Sequence, residues 1–563
     1  MFSVHKKTVS FLTRGAAGAL RDRVRLDADL YYPDSLGEFP VLLMRQPYGR
    51  KIASTVVYAH PSWYASQGYL VVIQDVRGRG TSQGEFKLFE NEIEDGLETI
   101  NWAAQLPQSN GKVGMYGFSY QGMTQLYGAV HRPPALKTIC PAMIAYNLYQ
   151  DWAYENGAFC LQMNLGWAIQ LAAETAKLKG DPDTFQKLYA ASRNLPLLDK
   201  ISVNPNILQE LAPDSFYYDW LNRPENDPYW QNLSPEFLLE KVDLPMLHIG
   251  GWFDPHLRGN FKLYQNMKNK SQFPQHLIIG PWGHLPWGRK TGEMNYGKSA
   301  SSFIDVYQIA WFDYFLKGKD SQLLEKSPIQ LFEMGSNQWC NLETLNSHQQ
   351  QIFYLKSDGL ANIQENAGQL VTDLLLNTSE NAETIDTIVH DPWRPVPSLG
   401  GHAGFPSGSF ERSGIDTRFD VLTYTSRPLT EDLFLQGEIQ VEINVQGDTP
   451  NFDLCAIVSE VRPDGSVYNF SQGYRRVNAS ETEQKITFSL QPICIKLAQG
   501  NAIRLSLSGA NFPAYGMNSG TNQSPSETKL IDYQVITLSV SSGGIALSKI
   551  IFHLSKKLPI NLG

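Results

Sequence analysis

Short apolar runs and helical spacings alternate along the first 145 residues of the chain. Residues 40–44 and 69–73 are continuous apolar runs, as is typical of strands buried on both faces of a parallel sheet. Between residues 92 and 104, apolar side chains recur at helical spacing, and acidic side chains stand at the N-terminal end. A third apolar run ends at Ser119 and is followed by a helix-like pattern. This rhythm predicts a doubly wound α/β sheet with chemistry at the carboxyl ends of its strands.

The pattern changes after residue 145. Residues 161–195 contain Ala-rich amphipathic stretches, and the segment that follows is rich in aromatic residues and Pro. We interpret this region as a helical insertion that covers the active edge of the sheet. The α/β pattern resumes with apolar runs at 245–249 and 276–279, and a long helix is predicted from about residue 302 to 317.

Period-two alternation dominates the last part of the chain. Residues 438–445 and 502–507 alternate apolar and polar side chains, and such runs are separated by Gly, Pro, Asp and Asn. This texture predicts an antiparallel β-sandwich. We therefore expect an α/β core over residues 1–144 and 242–324, a helical cap over 145–241, and a C-terminal β domain over 325–563.

Composition narrows the class of protein and its partners. The net charge of −9 argues against nucleic acid or an anionic membrane as the main partner. The five cysteines are widely spaced and form no C-x-x-C motif, which favours buried reduced thiols in a cytoplasmic protein. No segment approaches the roughly 18 consecutive apolar residues of a membrane span. We expect a cytoplasmic protein whose partner is a small molecule.

The run that ends at Ser119 carries the first candidate for chemistry. Gly117, Phe118 and Ser119 form a G-x-S element between a predicted strand and a predicted helix, the context of a nucleophile elbow. The position two residues after the serine is usually small, whereas here it is Gln121, and Gly122 comes one place later. Ser119 therefore needs partners elsewhere in the chain before it can be regarded as a nucleophile.

Two later strands end in such partners. The run before Asp254 and the run before His284 each finish in a glycine turn, and the order Ser, Asp, His is that of α/β-hydrolases. The alternatives are that Asp254 caps a helix and that His284 is an ordinary loop histidine. His248 and His256 lie near Asp254, but no metal-ligand spacing is present, so we expect neither a metal nor another cofactor.

Taken together, these motifs resemble the cocaine-esterase and X-Pro dipeptidyl-peptidase family of serine hydrolases, which also includes α-amino acid ester hydrolases and glutaryl acylases. The resemblance runs over nearly the whole chain. It includes a nucleophile elbow in which Tyr follows the serine and the glycine comes one position later than in the usual motif. It implies an α/β-hydrolase core, an inserted helical cap and a C-terminal jelly roll. The matching segments are residues 21–26, 75–82, 117–122, 250–254, 280–284, 418–422 and 462–465.

The resemblance also implies roles for individual residues. Ser119, Asp254 and His284 would form the catalytic triad, and the oxyanion hole would combine the backbone N–H of Tyr120 with the hydroxyl of Tyr48. The reaction would be a two-step acyl transfer through an acyl-enzyme. From the residues themselves, the Gly-rich segment 75–81 lacks the phosphate-binding motifs, and we interpret it as a structural loop with an internal Asp–Arg pair.

Substrate recognition is less specified by the sequence. In α-amino acid ester hydrolases two acids shortly after the catalytic Asp help to hold the substrate ammonium; here those positions are His256 and Leu257, so that cluster is not expected to bind an amine. Asp151 and Glu155 could supply charge instead, or could be capping or solvated residues. Aromatic side chains are candidates for the pocket, with core packing as the alternative for each. They are Trp152, Tyr154, Trp167, Trp252, Phe253 and Trp287.

An aromatic pocket favours a bulky uncharged ester or a hydrophobic amide. Our first hypothesis is an esterase or amidase that acts on small acyl compounds. The alternative is an X-Pro dipeptidyl-peptidase-like peptidase or a peptide-tailoring amidase. An acyltransferase stays open, and a binding protein is the hypothesis from a different class, since the jelly roll resembles carbohydrate-binding modules. A homo-oligomer is possible, but no residue decides it.

Overall fold

A computed structural model describes residues 2–13, 23–51, 55–320, 322–345, 349–372, 383–478, 485–543 and 547–555. Arg21 and Asp22, the first residues of the segment 21–26, lie outside the described residues, as do residues 1 and 556–563 of the predicted domains. Among the described residues, no helix combines the length and the apolar character needed to span a bilayer. The five cysteines are buried and free.

A ten-stranded mixed sheet forms the centre of the first part. From β4 to β13 its seven central strands run parallel, with antiparallel strands at both edges. The spatial order is β1-β2-β4-β3-β5-β6-β9-β10-β13-β14. The strands are β1 (Val4–Leu12), β2 (Arg25–Pro33), β3 (Phe39–Gln46), β4 (Leu70–Asp75), β5 (Ser109–Phe118), β6 (Leu136–Ala142), β9 (Met246–Phe253), β10 (Gln275–Gly283), β13 (Ile329–Glu333) and β14 (Gln338–Leu342).

Helices cover both faces of this sheet, because strands that are apolar on both sides must be shielded from water twice. The predicted helix over 92–104 is confirmed as α2, and the helix predicted from about 302 begins two residues later. These helices are α1 (Pro61–Ser66), α2 (Glu92–Ala104), α3 (Tyr120–Ala129), α10 (Leu257–Lys270) and α11 (Ile304–Lys317). The α/β-hydrolase architecture expected from the sequence is confirmed.

The insertion between β6 and β9 is helical, as predicted. It begins with a π-helical turn, Tyr149–Ala153, and a short hairpin of β7 (Tyr154–Glu155) and β8 (Ala158–Phe159). Six helices follow: α4 (Leu161–Leu178), α5 (Pro182–Arg193), α6 (Asn206–Leu211), α7 (Phe216–Asn222), α8 (Pro228–Leu233) and α9 (Pro235–Leu238). We call residues 145–241 the cap segment.

The C-terminal part is all-β, with an eleven-stranded sheet and the four-residue helix α12 (Ser413–Asp416). A small hairpin of β11 (Lys290–Thr291) and β12 (Met294–Asn295) precedes it. The jelly-roll arrangement of these strands stays a prediction. The strands are β15 (Gln350–Lys356), β16 (Gln369–Val371), β17 (Thr384–His390), β18 (Val421–Ser426), β19 (Leu433–Gly447), β20 (Phe452–Val461), β21 (Val467–Val477), β22 (Lys485–Leu497), β23 (Ala502–Ser508), β24 (Ile536–Ser542) and β25 (Lys549–His553).

The first sheet continues past residue 324, where we expected the α/β core to end. β13 pairs in parallel with β10, with Gln330 opposite Ile278, and β14 then closes this edge as an antiparallel partner. Phe332 of β13 is fully buried in the same apolar cluster as Trp252 and the inner face of the all-β domain. The two parts therefore share a continuous core across this edge, and composition alone does not mark the border between them.

Candidate active site

Ser119 stands at a sharp turn between β5 and α3. Its backbone has φ 58° and ψ −127°, outside both the helical and the extended regions, while Phe118 ends the strand and Tyr120 begins the helix. A non-glycine residue at positive φ stores strain of about 1–3 kcal/mol, and such residues concentrate at functional sites. This is the backbone geometry of a nucleophile elbow, which raises the serine side chain above the sheet edge.

The glycines around Ser119 are required by close approaches. A Cβ at Gly117, whose φ is 142°, would lie 2.5 Å from the Cβ of Gln121. A Cβ at Gly122 would lie 2.4 Å from Cγ2 of Ile144 and 2.7 Å from the carbonyl oxygen of Ala142. The late glycine of the motif thus lets α3 pack closely on the segment after β6. Gln121 fits the usual small position because its Oε1 turns back and accepts from the Phe118 N–H at 3.4 Å.

Asp254 and His284 lie directly after the neighbouring parallel strands β9 and β10. Nδ1 of His284 lies 2.7 Å from Oδ1 of the fully buried Asp254. Because a carboxylate accepts the proton on Nδ1, this bond leaves Nε2 as the basic nitrogen. The His284 ring is centred 5.4 Å from the ring of Phe118, which places the imidazole beside the elbow.

Tyr48 follows β3 and lies under the cap segment. The indole N–H of Trp167 donates to the Tyr48 hydroxyl at 3.1 Å. An indole N–H can only donate, so the phenol oxygen accepts here and its own proton stays available for another acceptor. Burial raises the pKa of Tyr48 to about 12, against smaller opposing effects of Trp167 and Arg79. Tyr48 is therefore a neutral donor at physiological pH.

Tyr120 offers its backbone rather than its side chain. It is the first residue of α3, and the N–H groups of a first helical turn have no acceptor within their helix. Its side chain is buried, and the hydroxyl donates to Glu92 at 2.8 Å. The backbone N–H after the serine is therefore the group that could contact a developing oxyanion.

Three of the six aromatic candidates lie around these groups. Trp152 packs 5.2 Å from Trp167 and 4.1 Å from His256, measured between ring centroids. Trp287 packs 5.8 Å from Phe118, and its indole N–H donates to the His284 carbonyl at 3.2 Å. These three side chains give the site an aromatic wall on the cap side and another beside the histidine.

The other three candidates lie elsewhere. Tyr154 stacks on Tyr149 at 4.3 Å inside the cap segment, and its hydroxyl donates to the Trp220 carbonyl at 3.1 Å. Trp252 donates to the Phe332 carbonyl at 2.7 Å, and both Trp252 and Phe253 belong to the apolar cluster shared with the all-β domain. Their placement favours core packing, the alternative that the sequence left open, over contact with a substrate.

His256 is a neighbour of His284 whose role sequence reasoning did not identify. Its ring is centred 5.3 Å from that of His284 in an edge-on arrangement, and its Nδ1 lies 3.1 Å from the Asp151 carbonyl oxygen. Since a carbonyl can only accept, Nδ1 carries the proton. Burial lowers the pKa of His256 to about 4, so the ring is neutral at pH 7. A neutral ring here adds no positive charge beside His284.

The two acids of the cap segment that the sequence offered for substrate binding, Asp151 and Glu155, are already occupied. Asp151 accepts from the backbone N–H groups of Tyr146 and Asn147 at 3.2 and 2.8 Å, and its other oxygen pairs with Lys262 at 2.8 Å. Glu155 is buried and pairs with Arg258 at 3.0 Å. Burial by itself would raise the pKa of Glu155, but Arg258 and His402 outweigh it and lower the pKa to about 2.

The Gly-rich loop after β4 is structural, but the internal Asp–Arg pair expected there is wrong. Asp75 pairs with Arg50, which follows β3, and Arg77 pairs with Asp95 of α2 at 2.7 Å. The Asp75 carboxylate also packs against the backbone of Gly80, where an added Cβ would lie 2.0 Å from it. Asp75 and Arg77 therefore pair with charges on neighbouring elements rather than with each other. Among the described residues, no group of three or more His, Cys, Asp or Glu side chains could hold a metal ion.

Comparison with known proteins assigns the family. Residues 22–286 match the X-Pro dipeptidyl-peptidase (S15) family, and residues 325–542 match the X-Pro dipeptidyl-peptidase C-terminal non-catalytic domain. The cocaine esterase of Rhodococcus sp. (strain MB1 Bresler) is 30% identical over 533 residues, which cover 89% of this chain and 91% of the relative. The chain belongs to the cocaine-esterase and X-Pro dipeptidyl-peptidase family. It is thus a serine hydrolase of the α/β type.

Solved structures agree with this fold. An aminopeptidase from a marine sediment Thaumarchaeota archaeon superposes with a TM-score of 0.80 at 20% identity, covering 99% of this chain and 97% of that one. An α-amino acid ester hydrolase superposes with a TM-score of 0.77 at 21% identity, covering 98% and 97% of the two chains. At these identities the likeness concerns the fold. The family includes esterases and peptidases, so membership alone does not say whether this enzyme cleaves an ester or an amide bond.

Proposed function

We propose that this protein is a serine esterase or amidase that cleaves small acyl compounds with a hydrophobic acyl or aryl group. The observation that carries the proposal is the 2.7 Å hydrogen bond between His284 and buried Asp254, beside a serine held at φ 58°. Buried acid, oriented histidine and strained serine are the three parts that nucleophilic acyl transfer requires.

The proposed reaction has two steps. His284 takes the proton of Ser119 through Nε2 as Oγ attacks the carbonyl carbon, and Asp254 stabilises the imidazolium that forms. The oxyanion accepts hydrogen bonds from the Tyr48 hydroxyl and the Tyr120 N–H. His284 then protonates the leaving group, and water attacks the acyl-enzyme by the reverse sequence. No cofactor takes part in this scheme.

The surroundings of the site favour an uncharged acyl group. Trp152, Trp167 and Trp287 supply aromatic surface, and His256 is neutral. Asp151 and Glu155 are both paired, so neither is free to hold a substrate ammonium. Binding of a free α-amine would have to displace the half-exposed Lys262 from Asp151 or Arg258 from the buried Glu155, and the second displacement is costly because Glu155 is buried.

A substrate panel with the variant Ser119→Ala tests this proposal. Aryl esters, anilides and Xaa-Pro anilides of matched acyl groups would be incubated with wild type and variant, and acyl release measured. We expect ester turnover that falls on the order of 10⁴-fold or more in Ser119→Ala. Ser459→Ala is a matched control, because this buried serine of β20 finds no hydrogen-bond partner among the described residues. Turnover that survives Ser119→Ala unchanged would refute the proposed nucleophile.

The same panel separates the remaining candidates. Preference for Xaa-Pro anilides would place the enzyme with the peptidases, a function favoured by the family description itself. Acyl product formed with an added amine or alcohol would indicate an acyltransferase. Sugar binding without turnover would favour a binding protein. A cytoplasmic location, the absence of nucleic-acid or membrane partners and a possible homo-oligomer stay predictions from the sequence.

A further inference from the structure

The backbone of Asp254 is bound by a residue of the all-β domain. Gln491 lies within β22 and is 2% exposed, and its Nε2 donates to the main-chain carbonyl of Asp254 at 2.7 Å. The same carbonyl accepts from the Leu257 N–H at 3.2 Å, within the turn that leads into α10. One restraint on this carbonyl is therefore local, and the other comes from a strand 237 residues further along the chain.

The Asp254 carboxylate has few restraints of its own. Oδ1 accepts from His284, while Oδ2 finds no hydrogen-bond partner among the described residues, although the side chain is fully buried. An acid that orients a catalytic histidine is usually fixed by several donors, because its direction determines that of the imidazole. The orientation of the Asp254 carboxylate must therefore depend largely on the position of its own main chain.

The orientation of the Gln491 amide follows from its second contact. Arg258 Nη1 lies 3.4 Å from Oε1 of Gln491, and a guanidinium can only donate. Oε1 is therefore the acceptor toward Arg258, which leaves the NH₂ group for Asp254. The backbone carbonyl of Gln491 also accepts from the Ser471 hydroxyl at 2.7 Å, so the residue is fixed at both ends.

Arg258 links Gln491 to a carboxylate shared by three parts of the molecule. Glu155 of the cap segment accepts from Arg258 of α10 at 3.0 Å. Its Oε2 also lies 2.8 Å from Nε2 of His402 and 2.7 Å from the Tyr515 hydroxyl, both in the all-β part. Four of the five residues of this network are buried, and the side chain of Arg258 is 16% exposed. In such surroundings hydrogen bonds are strong and an unpaired group is costly.

We propose that Gln491 is a positioning residue for the triad, and that the C-terminal domain takes part in catalysis by fixing the Asp254 turn through Gln491, Arg258 and Glu155. The proposal rests on the proposed function, in which Asp254 orients His284. It goes beyond that function by assigning a catalytic contribution to the domain that the family description calls non-catalytic.

Two substitutions at Gln491 separate its contacts. Gln491→Glu keeps the size and the acceptor toward Arg258 but removes the NH₂ group that donates to Asp254. Gln491→Met keeps the length and removes both contacts. Gln436→Glu is the matched control, since Gln436 is a buried glutamine of β19 whose Nε2 also donates to a backbone carbonyl, that of Leu345, at 3.5 Å.

We expect kcat for an aryl ester to fall about 10- to 100-fold in both Gln491 variants, because a displacement of about 1 Å at a catalytic group can cost 10²-fold. KM should change less than about twofold, since the pocket walls are untouched. The rate of Ser119 labelling by a small organophosphonate should fall in parallel, whereas Gln436→Glu should match wild type. A purely structural role would lower the melting temperature and leave the kcat of the folded enzyme unchanged.

Folded Gln491 variants with kcat and labelling rate within about twofold of wild type would overturn the proposal. If both variants fail to fold, Tyr515→Phe decides, because it removes a single hydroxyl from Glu155: a lower kcat at constant KM supports the network, and an unchanged kcat refutes it. Ser119→Ala and Asp254→Asn, measured beside these variants, distinguish a failure of this inference from a failure of the proposed function. If both of them are inactive while Gln491 variants are fully active, this inference fails and the proposed function stands.

Discussion

Ser119 and Asp254 are held by contacts of very different reach along the chain. The elbow is built by β5, α3 and the close packing of Gly117 and Gly122, all between residues 109 and 144. The Asp254 turn receives support from the cap segment, α10 and β22. One half of the site therefore depends on local backbone geometry, and the other half depends on docking between parts of the molecule. Substitutions should affect the two halves differently.

Tyr48→Phe should give the largest effect on the serine side. The change removes the proposed oxyanion donor and little volume, so we expect a loss of about 3 to 4 kcal/mol in transition-state stabilisation, or 10²- to 10³-fold in kcat. Because the change also removes the acceptor of the Trp167 indole N–H in the cap segment, the melting temperature should fall slightly, as expected for the loss of one hydrogen bond of about 1 kcal/mol. Steady-state kinetics and calorimetry check this. A normal kcat would exclude Tyr48 from the oxyanion hole.

Glu155→Gln should lower both stability and kcat, because it leaves Arg258, which contacts Gln491, without its buried carboxylate partner. We expect about 3 kcal/mol of destabilisation at pH 7. The folded-state pKa of Glu155 is lowered to about 2, from an ordinary value of 4.5, so its stabilising contribution is present above pH 4.5 and is lost as the pH falls through 2. Denaturant titrations at several pH values should show the difference between wild type and variant shrinking over that range.

A substitution at an exposed glutamate serves as the control for the stability of Glu155→Gln. Glu94→Gln removes an exposed carboxylate that pairs with His131, and exposed pairs of this kind contribute less than about 1 kcal/mol. A Glu155→Gln variant that is no less stable than Glu94→Gln, or a difference that stays constant with pH, would contradict the role assigned to Glu155.

Gly122→Ala should give a smaller loss, confined to the elbow. Its new Cβ would meet backbone and side-chain atoms at 2.4 to 2.7 Å, and overpacking of this kind costs about 1 to 3 kcal/mol. We expect a lower melting temperature together with a reduced kcat, because α3 must move away from β6. Gly414→Ala is the control, since nothing lies within 4 Å of its added Cβ. Equal behaviour of the two variants would mean that the close approach at Gly122 is unimportant.

Much of the fold could be predicted from the sequence because its elements have strong local patterns. The helix over Glu92–Ala104 and the strands before Ser119, Asp254 and His284 follow from apolar spacing and glycine turns. The extension of the first sheet through β13 and β14 could not be predicted, since a short apolar strand gives no sign of which sheet it joins.

The aromatic candidates show the same limit within the site. Trp152 and Trp252 both stand in aromatic, apolar segments, yet one lies against His256 and the other donates to Phe332 in a distant core. The direction of each side chain depends on which neighbouring layer covers its strand or helix, and that information is not local. The prediction of an internal Asp–Arg pair in segment 75–81 was wrong for a related reason. The opposite charges nearest to Asp75 and Arg77 in sequence are not the ones that lie nearest to them in space.

The sequence by itself determined the chemical groups, their order along the chain and the turns that carry them, because strand–turn–helix geometry is encoded within a few residues. The tertiary structure decided which groups meet. It placed a neutral His256 beside His284, paired Asp151 and Glu155 with cations, and brought Gln491 to the backbone of Asp254. These contacts join residues separated by 28 to 237 positions, and their energies arise from burial that exists once the domains have packed.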